Sequence, residues 1–214
     1  NEASCRRTNN RQGVVWNVCG RGVVATYLGD FETAMECFDE CDQLLAHEDT
    51  SQRIANGYVA LVHWMRGDND RAVALSDEVI ALASASKPTA YHIYLGLSAA
   101  CEVALAQERF ERKERERAER VVKLTRAFAR IFRLGAPGAL TYQGTLHWRL
   151  GNQLRARRAW RKAVAEADSL SMPFESARAQ LELAIHAKDR GAARIAQRAF
   201  DELGTRWWAQ RSLA

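Results

Sequence analysis

The segment GVVATYLGDFETAMECFDEC, residues 22–41, decides the fold because its spacing returns in GTLHWRLGNQLRARRAWRKA, residues 144–163. Each segment holds a small residue, a glycine at the eighth position, and then an alanine and a large aromatic residue. Self-similarity of this kind is typical of helical repeats. The shared positions are Gly22, Gly29, Ala34 and Phe38 in the first segment and Gly144, Gly151, Ala156 and Trp160 in the second.

Two weaker copies of the same frame occur elsewhere in the chain. One runs from Ala60 to Val79 and the other from Ala184 to Leu203. Their turn glycines would be Gly67 and Gly191. The four copies therefore predict four turns of the same type.

Each position of the frame has a physical role. A small residue lets a second helix approach closely, and the following glycine adopts the positive φ that ends the first helix. The alanine keeps the helix pair tight, and the large residue fills the space between pairs. The frame therefore predicts antiparallel helix pairs.

This frame resembles the tetratricopeptide (TPR) repeat over nearly the whole chain. The resemblance implies an all-α fold, a TPR-like α–α superhelix of about five helix pairs. Residues 14–214 are expected to form a single repeat domain, after a frayed polar end over residues 1–13. The expected pairs are residues 14–46, 52–85, 89–134, 138–170 and 174–203, with a terminal helix over 204–214.

The composition is that of a globular protein, with 47% hydrophobic and 27% charged residues among 214. No apolar run reaches the roughly 20 residues that span a bilayer, and no signal peptide opens the chain, so we expect a cytoplasmic protein. The first residue is Asn1 rather than Met. We therefore expect the chain to be a piece of a longer polypeptide.

No catalytic motif is found in the sequence. It has no GxxxxGK[ST] phosphate loop, no HExxH pair and no GxSxG elbow, so we predict no catalytic residue and no cofactor. The five scattered cysteines predict reduced thiols, with Cys37 and Cys41 buried rather than bound to a metal. An alternative is a cryptic nucleotide site, because Val14–Ala25 matches a strand followed by GxGxxA at Gly20 and Gly22.

Positive charge is concentrated in two segments. Residues 109–133 hold ten basic and four acidic residues, and residues 149–162 hold six basic residues and no acid. The second segment predicts a basic surface that is simply solvated, or that meets an acidic protein surface or nucleic acid. Its members are Arg155, Arg157, Arg158, Arg161 and Lys162.

The inner face of a TPR solenoid is lined by the first helix of each pair. Superposing the four frames predicts an aromatic groove there, able to anchor a peptide or helix or to pack against a neighbouring domain. The predicted groove residues are Trp16, Tyr27, Trp64, Met65, Trp148, Arg149 and Lys188.

The chain from Tyr91 to Trp208 carries a more specific pattern, in which Leu170-Ser171-Met172-Pro173-Phe174 follows the helix at 156–163 and Leu203-Gly204-Thr205-Arg206-Trp207 follows later. The pattern resembles the C-terminal repeats of multidomain signalling proteins with an AAA/STAND ATPase core, often with a class III nucleotide cyclase; large LuxR-type regulators are near neighbours. The resemblance implies a non-catalytic sensor or protein-interaction arm, whose partners are proteins, peptides or adjoining domains. A free-standing adaptor and, less favoured, a segment of a DNA-associated transcription regulator are the alternatives.

Overall fold

A computed structural model describes residues 2–44 and 50–211, and within these ranges every regular element is a helix. The all-α fold class is therefore confirmed. None of the described helices is both long and apolar enough to cross a lipid bilayer. The predicted ends of the first pair, at residue 46, and of the terminal helix, at residue 214, lie outside the described residues.

The chain divides into two compact units, Asn1–Val103 and Ala104–Ala214, where the sequence predicted a single repeat domain over residues 14–214. In the first unit, α2 packs against α3 and α5 packs against α6. The elements of this unit are α1 (Glu2–Arg7), α2 (Arg11–Leu28), α3 (Phe31–Leu44), α4 (Thr50–Asn56), α5 (Val59–Met65), α6 (Asn69–Ala85) and most of α7 (Ile93–Ala106).

In the second unit, α9 packs against α10 and α11 packs against α12, while α8 also packs on α9. A short 3-10 turn, Arg133–Gly135, joins α8 to α9. The helices of this unit are α8 (Arg112–Ile131), α9 (Ala136–Arg149), α10 (Gln153–Ser169), α11 (Pro173–Ala187), α12 (Arg190–Glu202) and α13 (Arg206–Arg211).

Residues Glu2–Arg7 form a helix within the segment 1–13, which the sequence predicted to be a frayed end. Arg6 of α1 forms ion pairs with Glu2, 2.7 Å away in the same helix, and with Glu40 of α3, 2.5 Å away. The side chain of Asn10 accepts a hydrogen bond from Gly13 N and so caps α2. These polar contacts hold a segment that has no apolar periodicity.

The turns of the first three copies form as the frame predicts. Gly29, Gly67 and Gly151 have φ of 79°, 87° and 80°, and each follows the first helix of its pair. The N–H of each glycine donates to the carbonyl three residues before it, and the next N–H donates to the carbonyl five residues before it. This is the hydrogen-bond pattern of a glycine-ended helix.

The fourth turn is different, and its predicted glycine is wrong. Gly191 lies inside α12, and the left-handed position is taken by Lys188, with φ of 53°. Asp189 accepts hydrogen bonds from Gly191 N at 3.0 Å and Ala192 N at 3.1 Å, which starts the helix nearly one turn early.

The buried positions of the frame recur in all four copies, even where the turn differs. The frame alanine of each second helix is fully buried in all four copies, and so is the residue one turn later. These pairs are Ala34 and Phe38, Ala72 and Ser76, Ala156 and Trp160, and Ala196 and Phe200.

The first helix of the second pair is interrupted, giving α4 and α5 where the frame predicts one helix. The break lies at Gly57, where an added β-carbon would lie 2.1 Å from Cγ2 of Val79 in α6. The backbone of α4 thus approaches α6 more closely than a residue with a side chain allows.

Candidate binding surfaces

An aromatic cluster in the second unit joins three helices through Trp148, Trp160 and His186. The Trp148 ring lies 5.9 Å from that of Trp160 and 5.0 Å from that of His186, measured between centroids. The His186 ring stacks on Trp160 at 5.5 Å. Trp160 is fully buried, whereas Trp148 and His186 are half-buried. Trp148 is therefore a partly exposed tryptophan that packs against a fully buried one.

Trp160 is held from the α9 side by hydrogen bonds. Its Nε1 donates to the carbonyl of Thr141 at 3.2 Å and lies 3.3 Å from Oγ1 of Thr145. Gly144 lies between these two threonines and leaves room for the indole. The indole ring is therefore buried, and its N–H has a hydrogen-bond acceptor.

A largely buried carboxylate lies beside this cluster. Thr145 Oγ1 donates to Oε2 of Glu182 at 2.6 Å, and His186 Nε2 lies 3.5 Å from the same oxygen. Burial alone would raise the pKa of Glu182, but the hydrogen bonds from His186 and Thr145, with the positive charge of Arg211, together hold the pKa below its ordinary value. Glu182 is therefore a carboxylate that binds α9 to α11.

The Thr145, Glu182 and His186 group is not arranged for nucleophilic catalysis. A hydroxyl nucleophile needs the imidazole next to it, with the acid behind the imidazole. Here the carboxylate lies between the hydroxyl and the imidazole. The geometry matches a structural hydrogen-bond network.

In the first unit, the predicted groove residues differ in exposure. Trp64 and Met65, at the end of α5, are half-buried against the apolar core of that unit. Tyr27 packs edge-on to Tyr58 at 6.3 Å. Trp16 is 49% exposed and its ring lies 5.8 Å from that of His92. Trp16 and Trp64 thus present accessible aromatic surface.

Arg149 and Lys188, the two predicted cations of the groove, differ in their surroundings. Arg149 Nη2 donates to the carbonyl of Gln107 at 2.5 Å, and its guanidinium lies 4.4 Å above the Phe110 ring. Burial lowers the pKa of Arg149. This side chain fixes the segment before α8, while Lys188 follows the end of α11 and is exposed.

His63 and His147 occupy equivalent turns in two copies. Their carbonyls accept the N–H of Asp68 at 2.9 Å and of Asn152 at 2.8 Å. His63 Nδ1 also lies 3.1 Å from the Asp68 carboxylate, and His147 Nε2 lies 3.4 Å from the Gln143 amide. Both histidines are therefore held by contacts in or next to their turn.

All residues of the predicted basic surface lie on α10, but only two of them line the same groove. Arg158 and Lys162 line a groove between α8 and α10 that has a volume of about 590 Å³. Arg155 and Arg161 are exposed outside its lining, and Arg157 is half-buried. We call this feature the α8/α10 groove. Its lining residues are Arg126, Ala129, Arg130, Ala136, Ala139, Leu140, Gln143, Arg158, Ala159, Lys162 and Glu166.

Sequence reasoning did not identify Arg126 and Arg130 of α8 as partners of the α10 cations. Both basic segments are visible in the sequence, and both arginines fall within the first of them. Local spacing does not reveal that α8 and α10 lie on the two sides of one groove. The packing of both helices on α9 brings these cations together.

The alternative nucleotide site has no geometry to support it. Gly20 and Gly22 lie in the middle of α2, a continuous helix from Arg11 to Leu28, and not in a turn between a strand and a helix. Backbone N–H groups inside a helix are already used for its own hydrogen bonds, so they cannot hold a pyrophosphate. The motif is explained by packing at Gly22, which faces Phe38.

The cysteine pair is buried as predicted, with Cys37 and Cys41 in the core of the first unit. Cys41 Sγ lies 3.7 Å from the Val15 carbonyl, and Arg21 Nη2 lies 3.8 Å from Cys37 Sγ. No group of three or more metal-ligating side chains is present within residues 2–44 and 50–211.

No protein-family model matches this chain, and no curated protein matches it. The TPR-like interpretation therefore depends on the repeat frame and on the geometry of the described helices.

Proposed function

We propose that this chain is a non-catalytic protein-interaction domain of the TPR-like type, serving as the regulatory arm of a larger signalling ATPase or nucleotide cyclase. The observation that carries the proposal is the repeated turn at Gly29, Gly67 and Gly151, which ends the first helix of a pair in the same way three times. A series of like units presents like positions to a partner, which is how helical repeats bind extended ligands.

We propose one aromatic binding surface in each unit, at Trp64 in the first unit and at Trp148 in the second. Each lies three residues before its turn glycine, and each carbonyl accepts the N–H of that glycine at about 3 Å. Both side chains are half-buried, so each has a fixed orientation and an accessible face. Aromatic side chains of this kind are frequent anchors in protein interfaces.

Peptide display tests this proposal. Peptides selected on the purified chain should bind Trp148→Ala more weakly by about 2 kcal/mol or more. Counter-selection on the folded variant removes peptides that bind elsewhere. A selection that enriches no Trp64- or Trp148-dependent sequence would argue against the proposed surfaces.

The non-catalytic part of the proposal has a separate test. Titration calorimetry with ATP and GTP should show no saturable binding, because the sequence has no phosphate loop. Saturable micromolar binding of either nucleotide would overturn it.

The alternative is a free-standing adaptor. Mass spectrometry of the native protein, purified with an antibody against this chain, separates the two proposals. Peptides from an attached ATPase or cyclase core support the regulatory arm. A product confined to these 214 residues supports the adaptor.

A further inference from the structure

We propose that the α8/α10 groove binds an acidic segment of a partner protein, with carboxylates on both flanks of a stripe of small apolar side chains. This site is separate from the aromatic surfaces of the proposed function, because neither Trp64 nor Trp148 belongs to its lining. It follows from the arrangement of charge, from the floor of the groove and from the pairing of charges along α8.

The cations of the groove form two facing rows. Arg126 and Arg130 stand one helical turn apart on α8, and Arg158 and Lys162 stand one turn apart on α10. Residues four apart on a helix share a face. An acidic segment with carboxylates about one turn apart on two sides can therefore meet both rows at once.

These four cations have no ion pair or hydrogen bond with any residue that the structure describes. All four side chains are exposed, so their charged ends face solvent. The lining contains one carboxylate, Glu166, and that group already pairs with Arg133 at 3.0 Å. The groove thus holds an uncompensated positive charge that an acidic ligand can neutralise.

The floor of the groove is mostly apolar. It is made chiefly of alanine, with Leu140 and the amide of Gln143. Small side chains let the backbone of a ligand approach closely, as they do between packed helices. The floor residues are Ala129, Ala136, Ala139, Leu140, Gln143 and Ala159.

The pairing of charges along α8 and the residues of the lining favour an acidic peptide over a single-stranded nucleic acid. In the first half of α8, Arg112 pairs with Glu116 at 3.8 Å and Arg115 pairs with Glu119 at 3.5 Å. Acids one turn further along the helix thus compensate these two arginines, whereas Arg126 and Arg130 have no such partner. Sites for single-stranded nucleic acid typically stack the bases on aromatic side chains, and the lining has none.

The test uses two blocked peptides that differ only in charge. One has the sequence Glu-Ala-Ala-Glu-Glu-Ala-Ala-Glu, and in the other each Glu is replaced by Gln. Calorimetry at low salt should show binding of the first peptide only, and the affinity should fall as salt is added. A uridine oligonucleotide of similar length is titrated in parallel.

Charge reversals locate the binding site. Arg126→Glu and Arg158→Glu should each weaken the glutamate peptide by about tenfold or more, because each removes a charge-assisted hydrogen bond and adds a repulsion. Arg161→Glu is the matched control, since it makes the same charge change on α10 at an exposed residue outside the lining. It should change the affinity by less than about threefold. Circular dichroism checks the fold, and Arg→Gln at the same positions replaces any reversal that unfolds.

Equal binding of the two peptides would overturn the proposal, and so would a loss of affinity in Arg161→Glu as large as in Arg126→Glu and Arg158→Glu. It would also be overturned if the oligonucleotide bound more tightly than the glutamate peptide and if Arg126→Glu and Arg158→Glu weakened that binding. Trp148→Ala should leave the affinity for the glutamate peptide unchanged. Failure at this groove is therefore distinguishable from failure of the aromatic surfaces.

Discussion

A β-carbon added to Gly144 would lie 2.5 Å from Cδ1 of the buried Trp160 in the facing helix. The first unit has the same relationship, because a β-carbon on Gly22 would lie 3.0 Å from Cζ of Phe38. In each pair, the missing side chain of the first helix makes room for an aromatic ring of the second. The small and the large positions of the repeat frame are therefore one packing feature.

Gly144→Ala should destabilise the second unit by roughly 1–3 kcal/mol, because the added methyl group overlaps the Trp160 indole. The indole cannot move freely, since its Nε1 is hydrogen-bonded to the Thr141 carbonyl. Urea unfolding followed by tryptophan fluorescence measures the change in the free energy of unfolding.

The control for this substitution is Gly20→Ala. Gly20 is exposed in the middle of α2, and an added β-carbon there meets nothing within 4 Å. Alanine should stabilise this helix by about 0.5–1 kcal/mol. If Gly20→Ala and Gly144→Ala changed the free energy of unfolding by similar amounts, the contact with Trp160 would not be the reason for a glycine at position 144.

Gly29→Val should destabilise the first unit, because valine is strongly disfavoured at a φ of 79°. Lys188→Gly makes the opposite change at the fourth turn, where a lysine already holds a φ of 53°. Glycine there should raise stability by up to about 1 kcal/mol. Thermal melts measure both variants, and an unchanged melting temperature for Gly29→Val would contradict the turn assignment.

Local spacing was sufficient to predict the turns at Gly29, Gly67 and Gly151, because a positive φ leaves a direct mark on residue choice. It failed at Gly191, where a glycine inside α12 resembled a turn. An additional signal was present in the sequence. The left-handed residue is followed by Asp or Asn in all four copies, at Asp30, Asp68, Asn152 and Asp189.

Features that depend on contacts between distant segments were not predictable in this way. The N-terminal helix α1 is one example, because its Arg6 forms an ion pair with Glu2 in the same helix and another with Glu40 in α3. The α8/α10 groove depends on the packing of two helices on α9, which brings Arg126 and Arg158 to the same cavity. Neither arrangement leaves a periodic pattern in the sequence.

The stability of the second unit should depend on pH through His147. Burial, and then the positive charges of Arg155 and Arg126, hold the pKa of His147 below its ordinary value. The unfolded chain therefore takes up a proton first, so stability should fall as the pH drops below about 6.5 and level off below the folded pKa.

His147→Gln should reduce this pH dependence, and Arg155→Gln should weaken it in part by raising the pKa of His147. Urea unfolding across the acid range measures the free energy, and an NMR titration of the imidazole measures the pKa directly. A His147 pKa above that of a model peptide would contradict this prediction.

The last prediction concerns Trp64 and Trp148, which occupy equivalent positions late in α5 and α9. Each is half-buried, so part of the ring packs on its own unit and part is accessible. If these rings anchor a partner, Trp64→Ala and Trp148→Ala should each weaken binding by about 2 kcal/mol or more. Trp160→Ala is the control, because Trp160 is fully buried and its loss should cost roughly 3–5 kcal/mol of stability. We expect Trp64→Ala and Trp148→Ala to lower stability less than Trp160→Ala does. Their main effect should be on the affinity for a partner. Stability losses as large as that of Trp160→Ala, with unchanged affinity for a selected peptide, would instead assign both rings to the core of their units.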